Sequence, residues 1–186
     1  MTMTNSKTLW QSFWEVVRFA IIAAIIVIPV RTWIAQPFIV SGSSMSPTFE
    51  NSEYIILDEL SYRLGEPKRG DVVVFKYPND TTKFFIKRII GLPGETVSIK
   101  DGVVTIINKE NPMGLVLAEP YIKNKSRDAK KFSLQDNEYF VMGDNRGASS
   151  DSRIWGAVPR NLMVGKTFLR LYPLNRISIL PGQLKQ

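Results

Sequence analysis

The sequence predicts a mainly antiparallel β domain behind a single apolar N-terminal helix, and three observations lead there. An apolar run near the N-terminus has helical character. From residue 37 onward the hydrophobic period changes to two, with short β-rich runs between turn signals. The 186 residues suffice for one modest core and an appendage, not two full domains, and 44% hydrophobic with 22% charged residues sets wholesale disorder aside.

The first fifteen residues read as a short tail, and residues 16–34 as a transmembrane anchor. Phe19 to Val30, FAIIAAIIVIPV, holds twelve residues without a charge. A bilayer core takes roughly 20 mainly apolar residues as a helix, a span reached if Arg18 and Arg31 snorkel to the two interfaces. Trp10, Trp14 and Trp33 flank the run, where indole rings prefer to sit. A cleaved signal sequence would need small residues soon after the run, whereas Val30 to Phe38 is bulky and charged. Lys7, Arg18 and the α-amino group against Glu15, with Arg31 following the span, bias the N-terminus slightly toward the inside.

Residues 35–186 read as the β domain. Its expected strands are Phe38–Ser41, Tyr54–Asp58, Asp71–Tyr77, Lys83–Ile90, Glu95–Ile99, Val103–Asn108, Glu138–Met142, Val164–Tyr172 and Arg176–Leu180. Asp101-Gly102 between two β-branched runs predicts a hairpin. Residues 109–136, with Pro112, Gly114, Pro120 and a basic run from Lys123 to Lys131, read as an irregular insertion or small subdomain. That run, KNKSRDAKK, has no interleaved aromatic residues to stack bases and is interrupted by Asp128, so a solvated loop is expected and no nucleic-acid partner.

Absences narrow the chemistry. With no histidine and no cysteine, the Ser/His/Asp triad, every cysteine nucleophile and the usual zinc and haem ligand sets are excluded. The formal net charge of +7 favours anionic surroundings without choosing among them. Three segments carry candidate chemistry. Ser41 to Thr48, SGSSMSPT, follows the apolar run and by itself reads as a turn. Asp71 to Gly94, where VVVFKYP is followed by FFIKRIIGLPG, places Lys87 and Arg88 inside an apolar stretch, where strand alternation sends them to opposite faces and one of them to the core. A lysine there loses solvation and becomes a neutral amine near neutral pH, which an arginine does not. Gly143 to Gly156, GDNRGASSDSRIWG, is rich in oxygen ligands, but its spacing does not match a calcium loop.

Taken in order, the apolar span, SSMSPT, RGDVVVFKYP, FFIKRIIGLPGE and MGDNRGASSDSRIWG make the chain resemble the type I signal peptidases. The resemblance implies a β catalytic domain of that type, Ser44 as nucleophile, Lys87 as general base, and Ser149 as the hydroxyl that orients the lysine. It implies that Asp151 and Arg153 form a structural charge pair, that Asp144, Asn145 and Arg146 are loop scaffold, and that Met45 packs beneath the substrate backbone. The oxyanion region falls at Gly42 and the Ser44 backbone, and Gly42 stands where some members carry a donating serine. No metal or other cofactor is implied. The implied partners are secretory preproteins and the lipid bilayer, with the catalytic domain on the extracytoplasmic face of the cell membrane. Two alternatives share these features: a self-cleaving Ser/Lys peptidase, which would bring a DNA-binding helix-turn-helix, and a catalytically silent membrane-tethered binding module.

Overall fold

In a computed structural model, residues 9–29, 35–124 and 129–183 are described. Helix α1 (Leu9–Pro29) begins ahead of the expected span, and residues 30–34 of that span lie outside the described residues. Among the described residues no helix is long and apolar enough to cross a membrane. Glu15 and Arg18 interrupt α1, and Phe19 to Ile28 supplies ten uncharged residues before Pro29, against the roughly 20 of a bilayer core. Along it Trp10, Phe13, Phe19, Ile25 and Ile28 stand exposed.

After α1 the chain gives β1 (Ala35–Ile39), β2 (Tyr54–Asp58), the short α2 (Leu60–Leu64), β3 (Val72–Tyr77), β4 (Asp80–Gly91), β5 (Thr96–Lys100) and β6 (Val103–Ile107). There follow β7 (Leu115–Val116), β8 (Lys130–Ser133), β9 (Glu138–Met142), α3 (Ser152–Trp155), β10 (Val158–Pro159), β11 (Met163–Tyr172) and β12 (Ser178–Ile179). One sheet has the order β1-β2-β11-β3-β4-β9-β10, with β12 on β11, and a second has the order β7-β6-β5-β8. Every pairing is antiparallel.

Most expected strands form with shifted ends. Arg176–Leu180 differs most, because Leu174–Arg176 closes a 3-10 turn and leaves only Ser178–Ile179 to pair. The β5–β6 hairpin turns through Asp101 and Gly102, with φ of 50° and 74°. Residues 109–136, expected to be an irregular insertion or a small subdomain, supply β7 and β8 to the two edges of the second sheet. Of the basic run, residues 125–128 lie outside the described residues.

Three apolar clusters fix this arrangement. Val73, Phe75, Ile89, Tyr139 and Val141 pack on one face of the large sheet, and Val40, Met45, Phe49, Ile55, Leu57, Val72 and Val74 on the other. Ile90, Phe140 and Met142 join Val97, Ile99, Val104 and Ile106 between the two sheets. Burial on both faces explains the near-continuous apolar run VVVF of β3, which alternation alone would not give. Two features of this sheet position the site. Four successive antiparallel pairings make β1 and β4 run the same way. The pairing of β4 with β9 begins only at Arg88, so the segment Lys83–Lys87 keeps one open edge facing that of β1.

Candidate active site

β1 runs through Val40 into a turn that carries Ser44. Val40 donates its N–H to the Glu53 carbonyl and accepts from Ser52, which returns the chain to β2. Within the turn Ser46 N–H donates to Ser43 O and Phe49 N–H to Met45 O. Met45 and Phe49 are 1% and 0% exposed, so the turn is pinned to the core by the residue that follows Ser44. Met45 therefore belongs to the packed floor under the turn.

Lys87 and Arg88 do point to opposite faces of β4, but the sequence reading sent only one to the core. Both are buried, at 4% and 1% exposure, because the sheet is covered on both sides. Lys87 Nζ donates to Ser44 Oγ at 2.7 Å and to the Ile86 carbonyl at 2.9 Å, and lies 5.4 Å from the centre of the Phe85 ring. Burial lowers its pKa from the ordinary 10.5 to about 8, against the opposing pull of the Asp151 and Asp144 carboxylates. About a tenth of the lysine is thus neutral at pH 7 and about half at pH 8. The same shift means that the unfolded chain holds this proton more tightly than the fold. Stability from this group is therefore lowest below pH 8 and rises as pH climbs from about 8 toward 10.5.

A groove of about 520 Å³ opens over the pair, lined by Phe38 to Ser44 on one side and Lys83 to Lys87 on the other, with Ala148 and Ser150 nearby. The loop after β9 closes the site from behind. Asn145 N–H donates to Ser44 O at 3.0 Å, and its Nδ2 donates to Ser43 O at 3.1 Å. Asp144 accepts from Arg88 Nε and Nη2 at 2.9 and 2.6 Å and from Thr48 Oγ1 at 2.5 Å. Asp151 accepts from Gly143 N–H at 3.0 Å and from Arg153 Nε and Nη2 at 2.7 and 2.8 Å. Arg153 reaches on to the Arg146 carbonyl, and Arg146 pairs in burial with Glu119.

Ser149 is not joined to the lysine. Its hydroxyl is buried with no partner among the described residues, while Lys87 is engaged by Ser44 and Ile86. The hydroxyl instead rests against Gly143, the first residue of the segment Gly143 to Gly156 and a position to which sequence reasoning gave no role. A Cβ at Gly143 would fall 2.2 Å from Ser149 Oγ and 2.5 Å from Ser44 O. Backbone contact of that kind cannot be relieved by turning a side chain, so Gly143→Ala is expected to shift the Ser44 turn. Displacements of about 1 Å can cost about 10²-fold in rate, and a fall of that order in kcat, measured on folded protein, is the expected result.

Gly42 also differs from its expected use. At φ +88° it adopts a conformation suited to glycine, but its N–H donates to Asn51 Oδ1 at 2.8 Å and is not turned to the groove. The Ser44 N–H has no acceptor among the described residues. Among those residues, no cluster of acidic side chains is placed to hold a metal. Of the residues given no role from sequence, Thr48 and Gly143 stood inside the motifs SGSSMSPT and GDNRGASSDSRIWG, whereas Glu119 carried no signal of its own. Glu119 lies in the segment read as irregular, and the other two matter only through contacts across the fold.

A serine hydroxyl hydrogen-bonded to a desolvated amine beside an open groove is an arrangement for nucleophilic attack on a carbonyl. Comparison with known proteins agrees. The signal peptidase family, peptidase S26, matches residues 13–172. The probable signal peptidase I-2 of Synechocystis sp. is 37% identical over 172 residues, 89% of this chain and 76% of its own length. The signal peptidase I of Leptolyngbya laminosa is 35% identical over 84% of this chain and 78% of its own. That of Bacillus licheniformis is 31% identical over 95% and 98%. With a buried lysine on a serine and a family match over most of its length, the chain belongs to the signal peptidase family, peptidase S26, as a serine peptidase that hydrolyses peptide bonds.

Proposed function

We propose that this protein is a membrane-tethered endopeptidase that removes N-terminal signal peptides from secreted preproteins through a Ser44/Lys87 dyad and an acyl-enzyme. The 2.7 Å contact between Lys87 Nζ and Ser44 Oγ carries the reading. Neutral Lys87 takes the Ser44 proton as Oγ attacks the scissile carbonyl carbon. The oxyanion that forms faces the uncommitted Ser44 N–H. Collapse breaks the C–N bond, the lysine returns its proton to the leaving amine, and the signal peptide stays as an ester on Ser44. Lys87 then activates water to release the signal peptide as an acid. No cofactor enters.

The groove favours an extended peptide, because the open edge of β1 and that of Lys83–Lys87 can each add a strand. Its apolar walls, Phe38, Val40, Ile55, Val74 and Ile86, suit small apolar side chains such as those of an A-x-A site. Enclosing such a peptide excludes water and presses the Lys87 pKa down further.

Membrane seating is supported by two observations. Large apolar side chains of α1 from Trp10 to Ile28 are exposed, and the outer face of the large sheet is apolar across four strands. Pro37, Ile56, Leu169 and Ile179 align in one row, and Ile39, Tyr54 and Tyr172 in another, with Ile179 71% and Ile39 67% exposed. A bilayer that receives α1 and this face holds the enzyme beside the apolar segment of its substrate and raises their effective concentration. In this reading the β domain lies on the extracytoplasmic face.

The test is cleavage of a purified preprotein bearing an A-x-A site by the detergent-solubilised enzyme. Cutting is expected after the second alanine, with a rate that rises with pH through about 8 as Lys87 loses its proton. Cleavage that is indifferent to bulky residues at both alanine positions, or a rate flat between pH 6 and 9 (about the range that brackets the shift), would count against this function.

A further inference from the structure

The residues that hold the nucleophile turn from its far side take no part in the chemistry above, and they form a connected ionic group. Glu53, 1% exposed, sits just before β2. Arg170 Nη1, from β11, donates to its two oxygens at 2.9 and 3.1 Å, and Arg176 Nη1, from the 3-10 turn after β11, lies 2.7 Å from Oε1. Both guanidinium groups also reach the Ser44 turn. Arg170 Nη1 donates to Thr48 O at 2.9 Å, and Arg176 Nη2 donates to Pro47 O at 3.1 Å and Thr48 O at 3.4 Å. Arg170 Nε closes the group on the Arg176 carbonyl at 2.9 Å.

These contacts fall where the turn needs them. The carbonyls of Ser43, Ser44 and Met45 are satisfied inside the turn or by Asn145, whereas Pro47 O and Thr48 O come at its end, where no backbone N–H of the described residues meets them. Two cationic donors on two adjacent carbonyls fix that end by charge-assisted bonds, and the buried carboxylate holds both donors in register. Across the turn Thr48 Oγ1 is bound to Asp144, so Thr48 is held from both sides. The same C-terminal segment closes over the turn at Gly182, where a Cβ would meet Thr48 Cγ2 at 2.8 Å, and whose carbonyl accepts from Arg88 Nη1 at 2.5 Å.

We propose that Glu53, Arg170 and Arg176 are positioning residues that set Ser44 for reaction by clamping the carbonyl end of its turn to the C-terminal strand pair. The inference rests on Ser44 being the nucleophile, as proposed above. The clamp touches neither substrate nor Lys87. It therefore acts on kcat, through the direction of Oγ and of the Ser44 N–H, and leaves the groove and the lysine as they are.

Arg176 is the cleaner probe, since its side chain is 34% exposed and Arg170 still faces Glu53 when it is gone. Full-length Arg176→Ala, Arg176→Lys and Glu53→Gln are compared with wild type in preprotein cleavage, with folding checked by thermal melts. Amide hydrogen exchange over residues 44–49 is followed in the same proteins. The expected result for Arg176→Ala is faster exchange in the turn and a kcat lowered about tenfold or more, within the range known for small misplacements of reacting groups. KM and the pH midpoint stay as in wild type, and Arg176→Lys recovers part of the loss. Unchanged exchange, unchanged kcat, a loss confined to KM, or a shifted pH midpoint each overturns the clamp. If wild type itself fails to cleave, the proposed function fails separately, and the exchange data still decide whether these residues hold the turn.

Discussion

Lys87→Arg is expected to abolish preprotein cleavage as completely as Ser44→Ala, each lowering kcat by about 10⁴-fold or more, the scale seen when a member of a catalytic unit is removed. The arginine variant is the informative one. It keeps a positive charge and hydrogen-bond donors near Ser44, so an electrostatic role for position 87 would survive it. A guanidinium does not give up its proton in proteins, so a general base does not survive. Lys87→Met, close in shape and without charge, should fail equally while relieving the desolvation that depresses the lysine, and should melt no lower than wild type near neutral pH. The double variant Ser44→Ala/Lys87→Met should be no worse than either single one, because the hydroxyl and the amine act in one step. Initial rates under single-turnover conditions, with circular dichroism to verify folding, give the comparison. Cleavage by Lys87→Arg within about tenfold of wild type would remove Lys87 from the base role.

How much of this could be read in the sequence differs from residue to residue for physical reasons. The period change after residue 37 and the Asp101-Gly102 turn are local signals, and a β domain with a hairpin at that place followed from them. Lys87 was singled out because composition removes histidine and cysteine, and of the Lys87-Arg88 pair in the apolar strand only the lysine can become a neutral base. Ser44 was distinguished from Ser43 and Ser46 only by the family resemblance. In the structure Lys87 reaches Ser44, while Ser46 Oγ is turned to Glu50. The second buried face of β4 was not legible, since alternation describes a sheet with one wet side. Nor were the partners that make the buried charges tolerable. Arg88 with Asp144, Arg146 with Glu119 and Arg170 with Glu53 join positions separated by 27 to 117 residues. Their pairing depends on which strands become neighbours, and no local pattern records that. Gly143 shows the same limit, because the need for a missing Cβ appears only where three segments meet.

Loss of the Asp144 carboxylate should give a large fall in stability together with a displaced pH profile. That carboxylate and the Arg88 guanidinium are 0% and 1% exposed, and Arg88 spends its remaining donors on the Gly70 and Gly182 carbonyls. In Asp144→Ala the guanidinium is left buried with half its partners gone, a situation that costs about 3–5 kcal/mol. For a chain of this size that is a fall of roughly 10 °C in melting temperature. Asp144→Asn keeps the shape and an acceptor for Thr48 or Arg88, so it should lose less stability and remain measurable as an enzyme. Its effect on chemistry has a definite sign. The Asp144 carboxylate favours the ammonium form of Lys87 and holds its pKa up against burial. Removing that charge lets the pKa fall below about 8, and the rising limb of the pH–rate profile moves to lower pH. Asp151 acts on the lysine in the same direction and more strongly, so Asp151→Asn should move the limb further. A limb that stays in place in both variants would mean that the group titrating in the profile is not Lys87. A limb that moves upward would mean that these carboxylates do not act on it by charge.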